Sequence, residues 1–317
     1  MPLVEIKKIK KYYPVKKPVR GELKAVDKVS LSIEEGEILG VVGESGCGKS
    51  TLARLMMRLV DKTDGEIYFR GEKISDYSEA EMKALRPKMQ MVFQNPFSSF
   101  NPKLTIGKSL RRVCAFHGID KEQAEVRLKE LFGYAGLDEE LLKRRPTELS
   151  GGQLQRLAIV RALIPSPEFV VADEPVSALD VTIQGQILEL LLKLKEQFGL
   201  TMMFISHDLT VVRHMCEWVV VMYLGQIVES GDTETVFSNP RHPYTQALIS
   251  ASPKESPEEE TSRILLEGDI PSAMNMPPGC HFASRCPHYQ KGICDEEQQV
   301  IHVGDEHYVR CARVNEL

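Results

Sequence analysis

An α/β fold built on a parallel sheet with crossover helices is what this 317-residue sequence predicts, and three features predict it. EILGVVG (37–43) is a short apolar run that passes through glycines into helical apolar spacing over 49–59, the start of an α/β unit. FVVAD (169–173), TMMFIS (201–206) and WVVVMY (218–223) are short apolar runs of the kind that form strands buried on both faces. Between the first two of these lies TIQGQILELLLKLKEQF, an amphipathic helix that can carry the crossover a parallel pair requires.

The other elements follow along the chain. VEIKKI and AVDKVSLSI alternate like strands ahead of the Glu35-Gly36 turn, and DGEIYF (64–69) and MQMVF (89–93) read as further strands. Residues 105–146 change character: KEQAEVRLKELFGYAG and DEELLKRR are charged and helical, which predicts a mainly helical insertion. Composition shifts again after Pro240. ASPKESPEEETSR reads as a linker, and PSAMNMPPG with the cysteines beyond it reads as a small appended module. No 20–50-residue period points to a repeat protein.

Composition narrows the function classes. Forty Lys and Arg against forty-five Asp and Glu leave a net charge of −5, which argues against a chain held to nucleic acid by a broad basic surface. MPLVEIKKIKKYYPVKK has no apolar core of signal-peptide length, so the chain is expected not to be exported. Its apolar runs fall short of the ~20 residues that cross a bilayer, so any membrane role must come through a partner. Seven cysteines, an odd number, then favour metal ligation or core thiols over a disulfide framework.

Residues 43–50 read GESGCGKS, a match to G-x-x-x-x-G-K-[ST] placed directly after a strand and directly before a helix. Glycines let the backbone curl so that several N–H groups face a phosphate, and the helix N-terminus adds its dipole. Lys49 would reach the outer phosphates and the Ser50 hydroxyl would take a place on Mg²⁺. FVVADE then delivers Asp173 and Glu174 at the C-terminal end of a strand, where α/β sheets place ligands. Asp173 suits the outer shell of Mg²⁺, and Glu174 could polarise a water for attack on a γ-phosphate.

LSGGQ at 149–153, followed by the helix LQRLAIVRAL, adds a further motif. Together with the phosphate loop, Gln94 after MVF, ADEP, SALD at 177–180 and His207 in FISHDL, the chain closely resembles the ATPase subunit of an ABC transporter over residues 3–250. The resemblance implies a P-loop NTPase fold: a RecA-like core, an antiparallel β subdomain and a helical subdomain at about 105–165, all within an ATPase domain of residues 1–250. It implies that Gly43, Ser45, Gly46, Cys47, Gly48, Lys49, Ser50 and Thr51 bind ATP, with Tyr13, or its neighbour Tyr12, stacked on adenine. Ser50, Gln94 and Asp173 would serve Mg²⁺, Glu174 would be the catalytic carboxylate, and His207 would contact the γ-phosphate. Gln94 would also sense the transmembrane partner.

Ser150, Gly151 and Gly152 open a helix, so that segment offers a second anion site. In the family the two phosphate-binding edges serve different ATP molecules, because two subunits pair head-to-tail around two nucleotides. Ser150, Gly151, Gly152 and Gln153 would then face the partner's nucleotide, with Asp180 at the junction. MQMVFQNPFSSFNPKLTIG (89–107), ADEPVSALDVTIQGQIL (172–188) and NPRHPYTQALISASP (239–253) further resemble ATPases of oligopeptide and dipeptide importers, F-type rather than D-type. Two departures stand out. Leu154 follows the signature glutamine where a polar residue is commoner, which could trim the helix N-terminal surface without removing the anion site, and Cys47 lies inside the phosphate loop, where it reads as a small residue that fits.

Cys280, Cys286, Cys294 and Cys311 are separated by five, seven and sixteen residues, unlike paired C-x-x-C zinc knuckles. Spacing alone leaves zinc, an iron–sulfur cluster and free thiols open. Peptide-importer ATPases share a C…RCP…C…C extension in which some members hold a [4Fe–4S] cluster, so the resemblance favours a cluster on these four cysteines within a 251–317 linker and extension. Its default role is to staple a small module. His281, His288, His302 and His307 read as surface residues, and Cys114 and Cys216 as core.

The expected function is therefore the ATP-hydrolysing motor of a di- or oligopeptide importer, peripheral on the cytoplasmic face of the membrane. Its partners would be a second ATPase subunit, two permease subunits and, indirectly, an external binding protein, with no nucleic acid. A nickel or oligosaccharide importer is the alternative. A soluble ABC ATPase acting on DNA or ribosomes is a further, less favoured alternative, since such proteins usually carry two cassettes or a long coiled-coil insertion and this sequence shows one cassette and neither addition.

Overall fold

The computed structural model describes residues 1–15, 21–252, 263–269, 271–274, 276–304 and 306–317. The chain begins with β1 (Val4–Val15), β2 (Gly21–Ile33), β3 (Ile38–Val42), α1 (Lys49–Met56), β4 (Asp64–Phe69) and β5 (Glu72–Lys73). Next come α2 (Glu79–Leu85), β6 (Met89–Val92), α3 (Ile106–Phe116), α4 (Lys121–Ala135), α5 (Gly151–Leu163), β7 (Phe169–Asp173), α6 (Val181–Phe198) and β8 (Thr201–Ile205). The last described elements are α7 (Leu209–Met215), β9 (Trp218–Tyr223), β10 (Gln226–Asp232), α8 (Thr233–Ser238), α9 (Pro243–Ser250), β11 (Ile301–Gly304) and β12 (His307–Val309).

These elements fall into two units. The first holds residues 1–33, 37–75 and 206–317; the second holds 34–36 and 76–205. In the first, an antiparallel sheet runs in the order β2-β1-β4-β5. In the same unit β3 pairs in parallel with β9 (Val41↔Val220), and β10 pairs antiparallel with β9. Every residue of β3 is buried, as its unbroken apolar run predicts.

In the second unit β6, β7 and β8 form parallel pairs in that order, with α6 as the crossover from β7 to β8. The helical stretch expected over 105–146 appears as α3, α4 and two 3₁₀ turns. Local chemistry explains the boundaries: Asp120 caps α4 by accepting from the Gln123 N–H at 2.9 Å, and Gly136 ends that helix in a left-handed conformation at φ 60°.

The sequence reading missed the strands beyond β9. β10 forms a hairpin with β9, and the short β12 adds to β10's far edge (Glu229↔Val309), followed by β11. β11 and β12 have only four and three residues, too few for alternation to register in the sequence. The predicted linker falls mainly on 253–262, outside the described residues.

A buried carboxylate ties this edge together. Glu229 is fully buried, accepts from the Arg241 and His242 backbone N–H groups at 2.6 and 2.9 Å, and lies 2.7 Å from His307 Nε2. His281 is buried as well, with Nδ1 2.9 Å from the Leu224 carbonyl oxygen. The expectation that both histidines lie on the surface is therefore corrected: each fills a polar position under the C-terminal segment that only the tertiary packing creates. His288 and His302 are exposed.

His242 caps α9 through Nδ1, which accepts from the Tyr244 N–H at 3.1 Å, and burial pushes its pKa down to about 4 against the pull of Glu229. Its native state is neutral, because a protonated ring has no acceptor for the Tyr244 N–H. The unfolded chain takes up a proton near the usual histidine range and the native one does not. Stability from this group is therefore complete above about pH 7 and is lost as pH falls from the unfolded value towards 4, by on the order of 2–3 kcal/mol. Urea unfolding at stepped pH should show this fall in the wild type, and His242→Asn, which retains a cap, should flatten it.

Candidate active site

The phosphate loop, residues 43–50, leaves β3 and enters α1. Gly43, Gly46 and Gly48 take φ of +146°, +79° and +111°. Two of these glycines are also demanded by close backbone approach. A Cβ at Gly43 would lie 2.2 Å from the Met222 carbonyl oxygen, and one at Gly48 would lie 2.3 Å from that of Ala25. The loop is a cradle wedged between two strands, and side chains are excluded where it is tightest.

Lys49 is 5% exposed, and its ammonium donates to the carbonyls of Gly43 at 2.7 Å and Glu44 at 3.1 Å. It forms no ion pair among the described residues, so a buried positive charge faces the loop with two carbonyl dipoles and the Cys47 sulfur at 3.9 Å to balance it. That is the charge an anionic phosphate would complete. Cys47 is buried, and burial pushes its thiol up while the Lys49 ammonium opposes the shift. It packs as a small core residue whose carbonyl accepts from the Gly225 N–H at 2.8 Å. Ser50 and Thr51 are half-buried on α1, while Ser45 and Gly46 are exposed.

Tyr13 is exposed on β1, with the Lys11 ammonium 4.8 Å from its ring centre. Its neighbour Tyr12 is engaged elsewhere: its hydroxyl bonds Asp27, which also accepts from the Gln226 amide at 3.2 Å. His207 is exposed just beyond Ser206, at the start of the turn into α7.

The second unit brings three motifs together. Asp173 is buried at the end of β7, and Glu174 follows with φ of +47°, a left-handed conformation rare for a non-glycine residue. The Glu174 N–H donates to the Ile205 carbonyl at 3.0 Å, which holds this turn to β8. Gln94 Nε2 donates to Glu174 Oε2 at 2.9 Å and lies 3.5 Å from Ser177 Oγ. Ser177 was not singled out beforehand, although it opens the SALD motif. Asp180 starts α6, its carbonyl accepting from the Gln184 N–H at 2.9 Å.

Ser150 caps α5 in a reciprocal box: its hydroxyl accepts from the Gln153 N–H at 3.3 Å, and the Gln153 side chain accepts from the Ser150 N–H at 3.1 Å. Gly152 is required by packing, since a Cβ there would lie 2.7 Å from Ile183 Cγ2. Leu154 is fully buried. It belongs to the core rather than to the exposed helix end, so the expected trimming of that surface does not occur.

Cys294 is buried, and Cys280, Cys286 and Cys311 are half-buried. The Cys280 N–H donates to the Cys294 carbonyl at 2.8 Å, and Gly279 must be glycine because a Cβ would lie 2.3 Å from that same oxygen. Burial pushes the Cys280 thiol up to about 12, and the Cys286, Cys311 and Cys294 thiols add to the shift. Burial also raises the Cys286 thiol, with Cys311 and Cys294 adding to the shift, and the Cys311 thiol, with Cys294 adding. Among the described residues no three or more His, Cys, Asp or Glu side chains close into a metal-holding group. Cys114 and Cys216 are buried apart from them, as expected.

A family model described as "ABC transporter" matches residues 26–177, and one described as "Oligopeptide/dipeptide transporter, C-terminal region" matches 228–294. The dipeptide transport ATP-binding protein DppF of Escherichia coli is 44% identical over 319 residues, covering 99% of this chain and 95% of that protein. The chain is an ABC transporter ATPase. It belongs to the branch that carries the oligopeptide/dipeptide C-terminal region. The oligopeptide transport ATP-binding protein AppF of Bacillus subtilis is also 44% identical, over 98% of this chain and 96% of that protein. Among solved structures, the dimeric ATP-binding cassette MJ0796 in a post-hydrolysis state bound to ADP and Pi has a TM-score of 0.65 at 32% identity. It covers 73% of this chain and 98% of that one. The cbiO1 protein of Clostridium perfringens has a TM-score of 0.66 at 25% identity, over 75% and 91% of the two chains.

The cradle geometry separates the glycines of this ABC ATPase. Gly48→Ala should cost about 2 kcal/mol or more, since strain and backbone collision coincide there, and should weaken ATP binding. Gly46→Ala, with nothing within 4 Å of the added Cβ, should cost only about 1 kcal/mol. Chemical denaturation alongside nucleotide titration of the two variants checks the contrast.

Proposed function

We propose that this ATPase is the motor of a di- or oligopeptide importer, coupling ATP binding and hydrolysis to uptake through membrane permease subunits. The observation that carries the reading is end-to-end similarity to peptide-transport ATP-binding proteins, through the C-terminal region as well as the cassette. The F-type relatives favour the F-type assignment. In this reading residues 1–250 are the ATPase domain, with a helical subdomain at about 105–165, and 251–317 are linker and extension.

Roles follow from the chemistry of each group. The cradle N–H groups and Lys49 bind the phosphates, Ser50, Gln94 and Asp173 serve Mg²⁺, and the exposed Tyr13 ring is available to adenine. An amide whose Nε2 rests on Glu174 would leave Gln94 Oε1 able to serve Mg²⁺. Glu174 orients and deprotonates the attacking water while ADP leaves, and His207 steadies the γ-phosphate. Ser150, Gly151, Gly152 and Gln153 serve the nucleotide of a second subunit paired head-to-tail, with Asp180 at that junction. No described helix is long and apolar enough to cross a membrane. Two permease subunits would hold the chain at the cytoplasmic face, and an external binding protein would deliver the peptide.

We further propose that Cys280, Cys286, Cys294 and Cys311 hold a [4Fe–4S] cluster. The support is the match of residues 228–294, which carry three of these cysteines, to the oligopeptide/dipeptide C-terminal region, together with burial that disfavours free thiolates, a cost that thiolate–iron bonds would offset. The group would cross-link a segment that has only short strands of its own.

Glu174→Gln should keep MgATP affinity while lowering turnover at least about 100-fold, and should trap a dimer. Lys49→Ala should lose nucleotide binding. Rapid hydrolysis by Glu174→Gln would remove the role given to Glu174, and unchanged affinity in Lys49→Ala would remove the phosphate-loop reading. Protein purified without oxygen should carry about four irons and four sulfides per chain with broad absorbance near ~400 nm; zinc alone, or no metal, counts against the cluster and leaves the ATPase reading standing.

A further inference from the structure

Arg285 sits next to Cys286 in the C-terminal segment, and its side chain reaches the phosphate loop. Nη1 lies 2.9 Å from Glu44 Oε2 and 3.3 Å from Oε1, and Nη2 lies 3.3 Å from Oε1. Nη1 also lies 3.4 Å from the Tyr223 hydroxyl, with the guanidinium 6.0 Å from that ring's centre. The arginine side chain is 9% exposed and the glutamate 26%. Arg285 Nε is buried and finds no hydrogen-bond partner among the described residues. A fold that accepts such a cost holds the guanidinium in place for its other two nitrogens.

Glu44 is the second residue of the loop, where a carboxylate would repel an incoming phosphate unless a cation neutralised it. All its polar groups are engaged. Its N–H donates to the Tyr244 hydroxyl at 2.9 Å, and its carbonyl accepts from Lys49 Nζ at 3.1 Å and from the Cys47 N–H at 3.2 Å. The carbonyl that orients Lys49 and the carboxylate held by Arg285 therefore belong to one residue. Phe282, fully buried against Tyr223 and Tyr244 at ring distances of 5.2 and 5.5 Å, anchors the turn that carries Arg285.

We propose that Arg285 is a positioning residue of the phosphate loop: by pairing with Glu44 it masks that carboxylate and fixes the loop's opening turn, and so sets the affinity for the phosphates of ATP. The C-terminal segment is then a working part of the nucleotide site. Whatever orders the turn around Cys286 strengthens nucleotide binding, and nucleotide binding orders that turn in return. This inference rests on the reading of residues 43–50 as the ATP site.

The test is MgATP titration by calorimetry on the full chain, comparing wild type, Arg285→Gln, Arg285→Lys, Glu44→Gln and the Arg285→Gln/Glu44→Gln pair, with Lys49→Ala as reference. Arg285→Gln should weaken binding about ten-fold, the scale of one lost charge-assisted hydrogen bond. Arg285→Lys should recover most of that loss. In the Glu44→Gln background the same arginine change should have little effect, since the charge it masks is gone. Melting temperatures without nucleotide serve as the fold control, and the lysine and glutamate variants keep the comparison decisive should Arg285→Gln fold poorly. Wild-type affinity in Arg285→Gln, or an equal loss in both backgrounds, overturns the role of Arg285 while Lys49→Ala still reports on the site. A wild-type chain that binds no MgATP overturns the nucleotide reading itself.

Discussion

The phosphate loop can exist in this shape only because its backbone presses directly on the backbone of other strands. Gly43 abuts the Met222 carbonyl at the end of β9, and Gly48 abuts the Ala25 carbonyl in β2. The same contact zone is closed by main-chain bonds from the Gly225 N–H to Cys47 and from the Asp27 N–H to Gly225, each 2.8 Å. Loop, β2 and the β9–β10 turn are therefore one rigid knot, and the buried Lys49 ammonium is placed by that knot rather than by its own flexible stem.

The second unit relies on strain of a different kind. Glu174 adopts a left-handed backbone that costs a glutamate free energy, and the N–H bond to Ile205 holds it there. The turn aims the side chain at Gln94 instead of letting it follow the strand. A carboxylate held towards one partner is well served by a backbone that has few alternatives. The reciprocal cap at Ser150 and Gln153 plays a comparable part for α5, since it defines where that helix begins.

The C-terminal segment is stabilised by polar groups as much as by apolar ones. Glu229, His307, His242 and His281 are all buried beneath or beside it, and the ion pair of Lys28 with Glu297 fastens its rim. Phe282 supplies the apolar anchor. A short segment with little core of its own gains a fixed position by inserting these groups into the neighbouring sheet edge.

The sequence by itself determined the strand–loop–helix of the phosphate site, the buried strands β3, β7 and β8, the crossover helix and the helical stretch over 105–146, because local periodicity and glycine spacing specify them. It also singled out Lys49 and Glu174 from contiguous motifs, whereas Gln94 and a shared role for the four cysteines, spaced five, seven and sixteen residues apart, came from the family resemblance. Only the tertiary structure decided the rest. That His281 and His307 are buried, that Leu154 is core, that β12 extends β10, and that Arg285 meets Glu44 from 241 residues away all depend on partners distant in the chain. No local pattern carries that information, because burial and charge pairing are properties of which surfaces meet, and the fold alone brings those surfaces together.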